Sequence, residues 1–480
     1  MNETIMTSLI FLHLNFSLKN LGGKILVKNR KNYKIKVMPN FKKIILLIGD
    51  IAILYFSLWL SLSIRYSQFC TSEKWNLHFF PFSLIYALWI IVFYIAGLYE
   101  LNLARNSVEF YSTLSKAIVI NGVLGIAFFY FIPYFSITPK TNLFLDIGIS
   151  TGLIVLWRQI YNKIIKSSLL LVNVLFIGKS KEMEEVSKVL ANNPQLGYKI
   201  VSQIYPDKLE TPLDLMEIIS SKRVNLIVTS IDPHYDSNLV KSLYQCLPFK
   251  ISFSDSVSFY EKIMGKVPLS AIGEVWFLEN LAESEKKFYE NFKRIFDMFF
   301  AIIFGIISLF FYPIIAVAIK IDSKGHVFYK QKRVGLNGEV FTVYKFRTMT
   351  EDAEKNGVKW ADDEDKRITK VGRFLRKTRL DELPQLLNIF FGNMSFVGPR
   401  PERVEFVEKL EKQIPYYNIR HIVRPGLTGW AQVNFRYGAS VEDSIEKLQY
   451  ELYYIKHRCF ILDISIILKT VKIILKGAGR

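Results

Sequence analysis

The residues best equipped for chemistry stand together in Arg376-Lys-Thr-Arg-Leu-Asp-Glu-Leu-Pro-Gln-Leu-Leu-Asn388. Two adjacent carboxylates, Asp381 and Glu382, follow three cations, Arg376, Lys377 and Arg379. Pro384 falls where proline is tolerated, in the first turn of a helix. Leu383, Leu386, Leu387 and Phe390 repeat at the spacing that buries one helix face. This pattern predicts a helix with Asp381 and Glu382 at its N-terminus, where unpaired N–H groups and the helix dipole favour anions, phosphate among them. A carboxylate pair in a basic pocket can handle phosphoryl chemistry. Taken alone, such a pair also reads as an acidic cap beside a solvated neighbour.

The rest of the chain is apolar and basic. Its 480 residues are 50% hydrophobic and 15% aromatic, with a mean hydropathy of +0.21. That is too apolar for an ordinary soluble enzyme and points to several membrane segments beside folded domains. Lys and Arg number 62 against 43 Asp and Glu, a net charge of +19. Beside membrane segments, this excess suits an anionic lipid surface or an anionic substrate, and no nucleic-acid partner is expected. Cys70, Cys246, Cys459 and the six histidines are scattered without metal-ligand or CxxC spacing, so neither a disulfide framework nor a zinc site is expected. Residues 1–42 are basic, show no signal-peptide pattern and are expected to be disordered.

Four apolar runs, Ile44–Ile64, Phe80–Leu98, Ala117–Tyr134 and Leu143–Tyr161, each approach the ~20 residues that a spanning helix needs. They assign residues 43–165 to a four-span bundle. Lys and Arg crowd the segment before the first run and recur at the end of the fourth, at Arg158, and after it, at Lys163 and Lys166. By the positive-inside rule, both flanks of the bundle belong to the cytoplasmic side. Asp50, within the first run, is expected to face either a partner helix or the headgroup layer.

Residues 166–284 have an α/β texture. Leu169–Gly178 reads as a buried parallel strand closed by a glycine turn, Lys181–Leu190 as a helix, and Val224–Ser230 as a second buried strand. This pattern resembles a small Rossmann-type or CoA-binding-like module. Gly178-Lys179-Ser180 lacks the full glycine fingerprint and no acidic residue is placed for a ribose, so a structural or regulatory role is expected.

A fifth apolar run, Phe296–Ile319, has basic residues on both flanks: Lys286, Lys287, Lys293 and Arg294 before it, Lys320 and Lys324 after it. Ser308 and Pro313 lie in its second half, and proline breaks a helix. Two positive flanks around a breakable helix predict a re-entrant element over 292–320, against the alternative of a plain fifth span. Beyond it, Val327–Gly335 and Phe341–Arg347 alternate like strands with cations between aromatics. Leu462–Lys476 is a basic amphipathic helix, suited to a membrane interface or to packing on a domain core.

Read in order, several motifs resemble one family. They are Lys293-Arg294-Ile-Phe-Asp297, Ser308 and Pro313, Tyr344-Lys-Phe-Arg-Thr-Met349 and Leu380-Asp-Glu-Leu-Pro-Gln-Leu-Leu-Asn388. Met394-Ser-Phe-Val-Gly-Pro-Arg-Pro401, Arg424-Pro-Gly-Leu-Thr-Gly-Trp430 and Tyr453-Tyr-Ile-Lys456 continue the series. The series is similar to the bacterial sugar transferases, the monotopic polyprenyl-phosphate hexose-1-phosphate transferases, and covers residues 285–480. The spans and the α/β module resemble the large members that act on glucose or galactose. The resemblance implies transfer of hexose-1-phosphate from a UDP-hexose to undecaprenyl phosphate, with release of UMP, at the cytoplasmic face of a bacterial inner membrane. It also implies a phosphosugar carried covalently on Asp381, with Glu382 helping to hold Mg²⁺ or orient the acceptor.

Under that resemblance, Lys345, Arg347, Arg376, Arg379 and Arg400 are the cations for the diphosphate, and Arg can clamp phosphate with two bonds. Pro401 completes the rigid turn that presents Arg400. Lys293, Arg294 and Asp297 would hold the re-entrant helix at the headgroup layer. Glu451 stands where Asp is expected and Asn393 interrupts a Gly-Asp-Met-Ser pattern. The expected fold is thus a membrane α-helical bundle of four spans, a Rossmann-like α/β module and an α/β catalytic domain with a re-entrant helix. A lipid bilayer is an expected partner, and a homodimer is compatible with this architecture. Two rival readings are an NAD-dependent sugar-nucleotide dehydratase, for which Tyr289 and Lys293 have the right spacing, and a non-enzymatic export scaffold. The missing glycine fingerprint argues against the first and the dense motif series against the second.

Overall fold

The computed structural model describes residues 39–100, 108–132, 140–166, 171–205, 212–231, 237–249, 251–281, 286–351, 353, 365, 367–435 and 440–477. Residues 1–38 of the N-terminal segment expected to be disordered lie outside these.

The apolar runs form helices α1 (Pro39–Tyr66), α2 (Ser72–Ala96), α3 (Val108–Phe131) and α4 (Lys140–Lys166), all four long and apolar enough to cross a membrane. Leu54, Leu58 and Leu62 recur every fourth residue on α1 and meet Phe82, Ile85, Tyr86, Trp89 and Phe93 of α2. Asp50 faces a partner helix: Arg158 of α4 lies 2.5 Å from it and both side chains are buried. Of the two expectations for Asp50, the helix partner holds, because a lone carboxylate at that depth lacks compensation.

The second part alternates β1 (Val172–Ile177), α5 (Lys181–Asn192), β2 (Tyr198–Ile204), α6 (Pro212–Lys222), β3 (Leu226–Thr229), α7 (Ser237–Gln245), β4 (Ser252–Asp255) and α8 (Ser256–Met264). The four strands are parallel, in the order β2-β1-β3-β4. Alternate residues of β1 enter two cores: Val174 and Phe176 pack with Met183, Val186 and Phe259, Leu175 and Ile177 with Leu215 and Ile219. Helices on both faces explain why β1 reads as a continuous apolar run. At its end Gly178 has φ +93°, and a Cβ there would lie 2.3 Å from Ser230 Oγ, so the turn requires glycine.

The remainder carries α9 (Glu274–Asn280), α10 (Lys287–Leu309), α11 (Tyr312–Asp322), β5 (Phe328–Val334), β6 (Val340–Phe346), α12 (Lys370–Thr378), α13 (Leu386–Phe391), β7 (Ser395–Val397), α14 (Val404–Glu411), β8 (Gly426–Thr428), α15 (Trp430–Asn434), α16 (Val441–His457) and α17 (Phe460–Leu475). The fifth apolar run is two helices, α10 and α11, bent by 58°. Pro313 sits in the first turn of α11, where it starts a helix instead of kinking one. The cationic segments pair as the antiparallel hairpin β5–β6, in register from Phe328 opposite Phe346 to Val334 opposite Val340.

Helix α17 packs on the domain core through Leu462 and Ile466, and its Ser465 accepts a 2.7 Å hydrogen bond from Tyr94 of α2. Core packing therefore accounts for one side of this tail. The α/β module is fastened to α16 by Lys266–Glu446 (2.6 Å) and Lys456–Glu261 (2.8 Å), and by Val267 N donating to Gln449 O.

Candidate active site

The Asp-Glu pair does not begin an α-helix. Arg379 adopts a left-handed conformation (φ 58°) that ends α12, and residues Leu380–Gln385 then form a 3₁₀ turn before α13. The pair stands in this turn because the backbone reverses at Arg379, a change that helical periodicity does not register. Leu386 is buried and Leu383 half-buried, whereas Leu387 and Phe390 are exposed. The continuous apolar face expected here is therefore only partly realised.

Around this turn the two carboxylates have different surroundings. Glu382 is buried, and its Oε1 accepts from Arg400 Nη2 at 2.9 Å and from Lys345 Nζ at 3.5 Å. Its Oε2 accepts from Arg379 Nη1 at 3.3 Å. Asp381 is also buried, yet no hydrogen bond or ion pair from the described residues reaches its carboxylate. Burial and the charge of Glu382 raise the Asp381 carboxyl to about 6, opposed by Lys345, Arg376 and Arg400. Burial also pushes Glu382 upward, but Arg400, Lys345 and Arg379 outweigh it and hold that carboxyl well below the usual range. Lys345 is itself lowered to about 8 by burial, with Glu382 opposing the shift. One carboxylate is thus committed to cations and the other is open.

Of the predicted cations, Lys345, Arg379 and Arg400 meet at Glu382, and Arg376 is within electrostatic reach of Asp381 while its Nε donates to Thr348 Oγ1 (2.9 Å). Arg347 does not join them. Its Nη1 donates to Lys324 O and its Nη2 to Ser323 O and Oγ, which fastens the loop after α11. Strand alternation would put Lys345 and Arg347 on one face, but β6 ends at Phe346 and Arg347, beyond it, turns to Ser323 and Lys324. Pro401 contributes its carbonyl, which accepts from Arg333 Nη1 at 2.9 Å.

The residues expected at the headgroup layer are turned into the protein. Lys293 pairs with Asp463 at 2.6 Å and donates to Tyr454. Arg294 donates from Nη1 to Ile389 O and from Nη2 to Phe390 O, covering the last carbonyls of α13. Asp297 accepts from Phe396 N. Ser308 Oγ bonds back to Gly305 O just before the bend with α11, and Ile306, Ile307, Leu309, Phe310 and Ile314 around that bend are exposed. Two residues that bond the backbone around Arg400, Arg333 and Arg420, had no role assigned from sequence. Arg333 carried only the strand alternation of β5, and Arg420 carried no local signal at all.

A family model described as "Bacterial sugar transferase" matches residues 288–477. The UDP-glucose:undecaprenyl-phosphate glucose-1-phosphate transferase of Klebsiella pneumoniae is 31% identical, over 85% of this chain and 91% of its own length. The protein of the same name from Xanthomonas campestris pv. campestris is 32% identical, over 62% of this chain and 65% of its own. The UDP-N-acetylgalactosamine-undecaprenyl-phosphate N-acetylgalactosaminephosphotransferase of Aeromonas hydrophila is 47% identical, but the match covers 34% of this chain and only 39% of that protein. The family match encloses the 3₁₀ turn with its two carboxylates and four cations, and the Klebsiella match, at 85% of this chain, extends well beyond that domain. On these grounds the chain belongs to the bacterial sugar transferase family.

Proposed function

We propose that this protein transfers hexose-1-phosphate from a UDP-hexose to undecaprenyl phosphate, releasing UMP and starting a repeat unit of a cell-surface polysaccharide. The observation that carries the reading is Asp381, a buried carboxylate with open oxygens, beside Glu382, whose oxygens are taken by Arg400, Lys345 and Arg379. An Asp381 oxygen attacks the β-phosphorus, and the bond from that phosphorus to the bridging oxygen breaks as UMP leaves. A phosphate oxygen of undecaprenyl phosphate then attacks the aspartyl-bound phosphorus and frees the carboxylate. Lys345, Arg376 and Arg400 neutralise the diphosphate so that a carboxylate can approach it.

Mg²⁺ fits Asp381 better than Glu382, since the cations around Glu382 leave it no open oxygen. The described residues hold no cluster of three metal-ligating side chains. Bound by Asp381 and the donor's phosphates, the ion would supply further charge neutralisation. Glucose or galactose is the favoured sugar on the architecture, with an acetamido sugar as the competitor suggested by the Aeromonas relative's name.

The topology proposed is a re-entrant α10–α11 element in the bacterial inner membrane, with the catalytic domain on the cytoplasmic face. Its support is that both ends of the element are fastened to one domain. Lys293 and Arg294 tie the start of α10 to α17 and α13, while Asp322 at the end of α11 accepts from Val371 N. An element pinned at both ends to one domain returns to the side it left. The α/β module is read as Rossmann-like, with a structural or regulatory role.

The test is UMP release by membranes carrying the protein, with undecaprenyl phosphate and a panel of UDP-sugars. Mg²⁺-dependent release with one sugar, lost in Asp381→Asn, is expected. Absence of release with every sugar would sink the reading.

A further inference from the structure

The turn that presents Arg400 has four consecutive backbone carbonyls bound. Pro399 O accepts from Gly426 N (2.8 Å), Arg400 O from Arg420 Nη2 (2.8 Å), Pro401 O from Arg333 Nη1 (2.9 Å) and Glu402 O from Val334 N (3.1 Å). Pro399 and Pro401 have no N–H, so their carbonyls are the handles by which this backbone can be held. Two of the four donors are side chains, and Arg420 is the more buried, 4% exposed.

Arg420 is itself fixed on every side. Its Nε and Nη2 donate to Glu451 Oε2 and Oε1 at 2.8 and 2.7 Å, and its Nη1 donates to Tyr417 Oη at 2.8 Å. Glu451 balances its charge, so what Arg420 delivers to the Arg400 turn is mainly geometry. Glu451 lies on α16, the helix whose Glu446 and Lys456 dock on the α/β module. The pair therefore stands between the module and the active site.

We propose that Arg420, oriented by Glu451, is a positioning residue for the transfer. By holding the Arg400 carbonyl it keeps the Arg400 guanidinium hydrogen-bonded to Glu382 and not to Asp381, whose oxygens stay open for attack. The inference rests on the transferase reading above and adds to it the device that divides the cations unequally between two neighbouring carboxylates. Lysine at position 420 would keep the charge and reach Glu451, but a single ammonium cannot span Glu451, Tyr417 and the Arg400 carbonyl as the guanidinium fork does.

The experiment compares full-length native protein, Arg420→Lys, Arg400→Lys and the double variant in lipid nanodiscs, reading UMP release against UDP-sugar concentration. Arg420→Lys is expected to lower kcat by roughly 10- to 100-fold with the KM for UDP-sugar changed by less than about 3-fold, as misplacement of a positioned group does. In the Arg400→Lys background the same change is expected to have little further effect, because both act through one contact. Native kcat in folded Arg420→Lys, or fully additive losses in the double variant, would overturn the proposal.

Should Arg420→Lys fail to fold, Arg333→Gln removes the other side-chain donor from a more accessible position. It is expected to lower kcat in the same non-additive way, and unchanged kcat counts against the mechanism. Native protein without UMP release defeats the transferase reading instead. The positional claim is then read from a cryo-EM structure of Arg420→Lys or Arg333→Gln: Arg400 displaced from Glu382 upholds it, and Arg400 still bonded there overturns it.

Discussion

Asp381 and Glu382 are consecutive and both buried, yet Glu382 takes three cations within 3.5 Å while the Asp381 carboxylate receives no hydrogen bond from the described residues. The two are accordingly driven in opposite directions, Asp381 upward by burial and by its neighbour's charge, Glu382 downward by its cations. A nucleophile needs an open, ionised oxygen, and a partner that absorbs the surrounding cations provides one.

Asp381→Asn is expected to reduce UMP release by at least about a thousandfold, as loss of a covalent nucleophile does. The same change should stabilise the fold at neutral pH. The folded-state carboxyl of Asp381 is raised, so its favourable contribution is complete below the unfolded value and lost as pH rises through about 6. Removing an ionised, desolvated carboxylate is expected to raise Tm by a few degrees at pH 7.5, measured by differential scanning fluorimetry. A lower Tm would contradict the electrostatic assignment.

The pH profile of kcat/KM should be bell-shaped. The acid limb reports Asp381 near 6, where it must lose a proton, and the alkaline limb reports Lys345 near 8, where it must keep one. In Lys345→Met the alkaline limb is expected to disappear. A profile flat between pH 5 and 9 would count against both assignments.

Glu382→Gln leaves Arg400, Lys345 and Arg379 without their shared counter-charge. Because the Glu382 carboxyl is depressed, it stabilises the fold above the ordinary carboxylate range and loses that contribution as pH falls. The variant is expected to melt lower at neutral pH and to converge on native protein in acid. UMP release should fall by roughly 100-fold or more, since a cation freed from Glu382 can pair with Asp381.

Arg347 and Arg376 should separate cleanly. Arg347 holds Ser323 and Lys324, so Arg347→Ala is expected to lower Tm while the folded fraction keeps a KM for UDP-sugar within about 3-fold of native. Arg376→Ala, facing Asp381, is expected to lower kcat/KM by about 10-fold or more. Equal kinetic losses would place Arg347 at the substrate.

Asp463→Asn strands the buried ammonium of Lys293, and breaking such a pair by one partner typically destabilises by about 3–5 kcal/mol. Lys293→Met with Asp463→Leu is expected to recover most of that loss in a thermal melt. If the single variant melts like native protein, Lys293 is solvated and α10 is not anchored on α17.

Much of this architecture could be read in the residues themselves. Apolar runs of spanning length dictate α1 to α4 because a bilayer leaves a helix no other way to satisfy its backbone. The two-faced apolar run of β1 dictates a parallel strand covered on both sides, and the alternation of cations with aromatics dictates the β5–β6 hairpin. Asp381 and Glu382, with two of their cations, Arg376 and Arg379, are likewise neighbours in sequence.

Tertiary structure decided the rest. The left-handed Arg379 replaced the expected helix start with a 3₁₀ turn, and no periodicity reports a single backbone reversal. Asp50 found Arg158 across 108 positions and Arg420 found Glu451 across 31, because a buried charge pairs with whatever packing brings within reach. The same packing sent Arg347 to a loop and Arg400 to Glu382. Local pattern selects each element by its own burial, whereas the difference between two adjacent carboxylates arises only when distant cations converge on one of them.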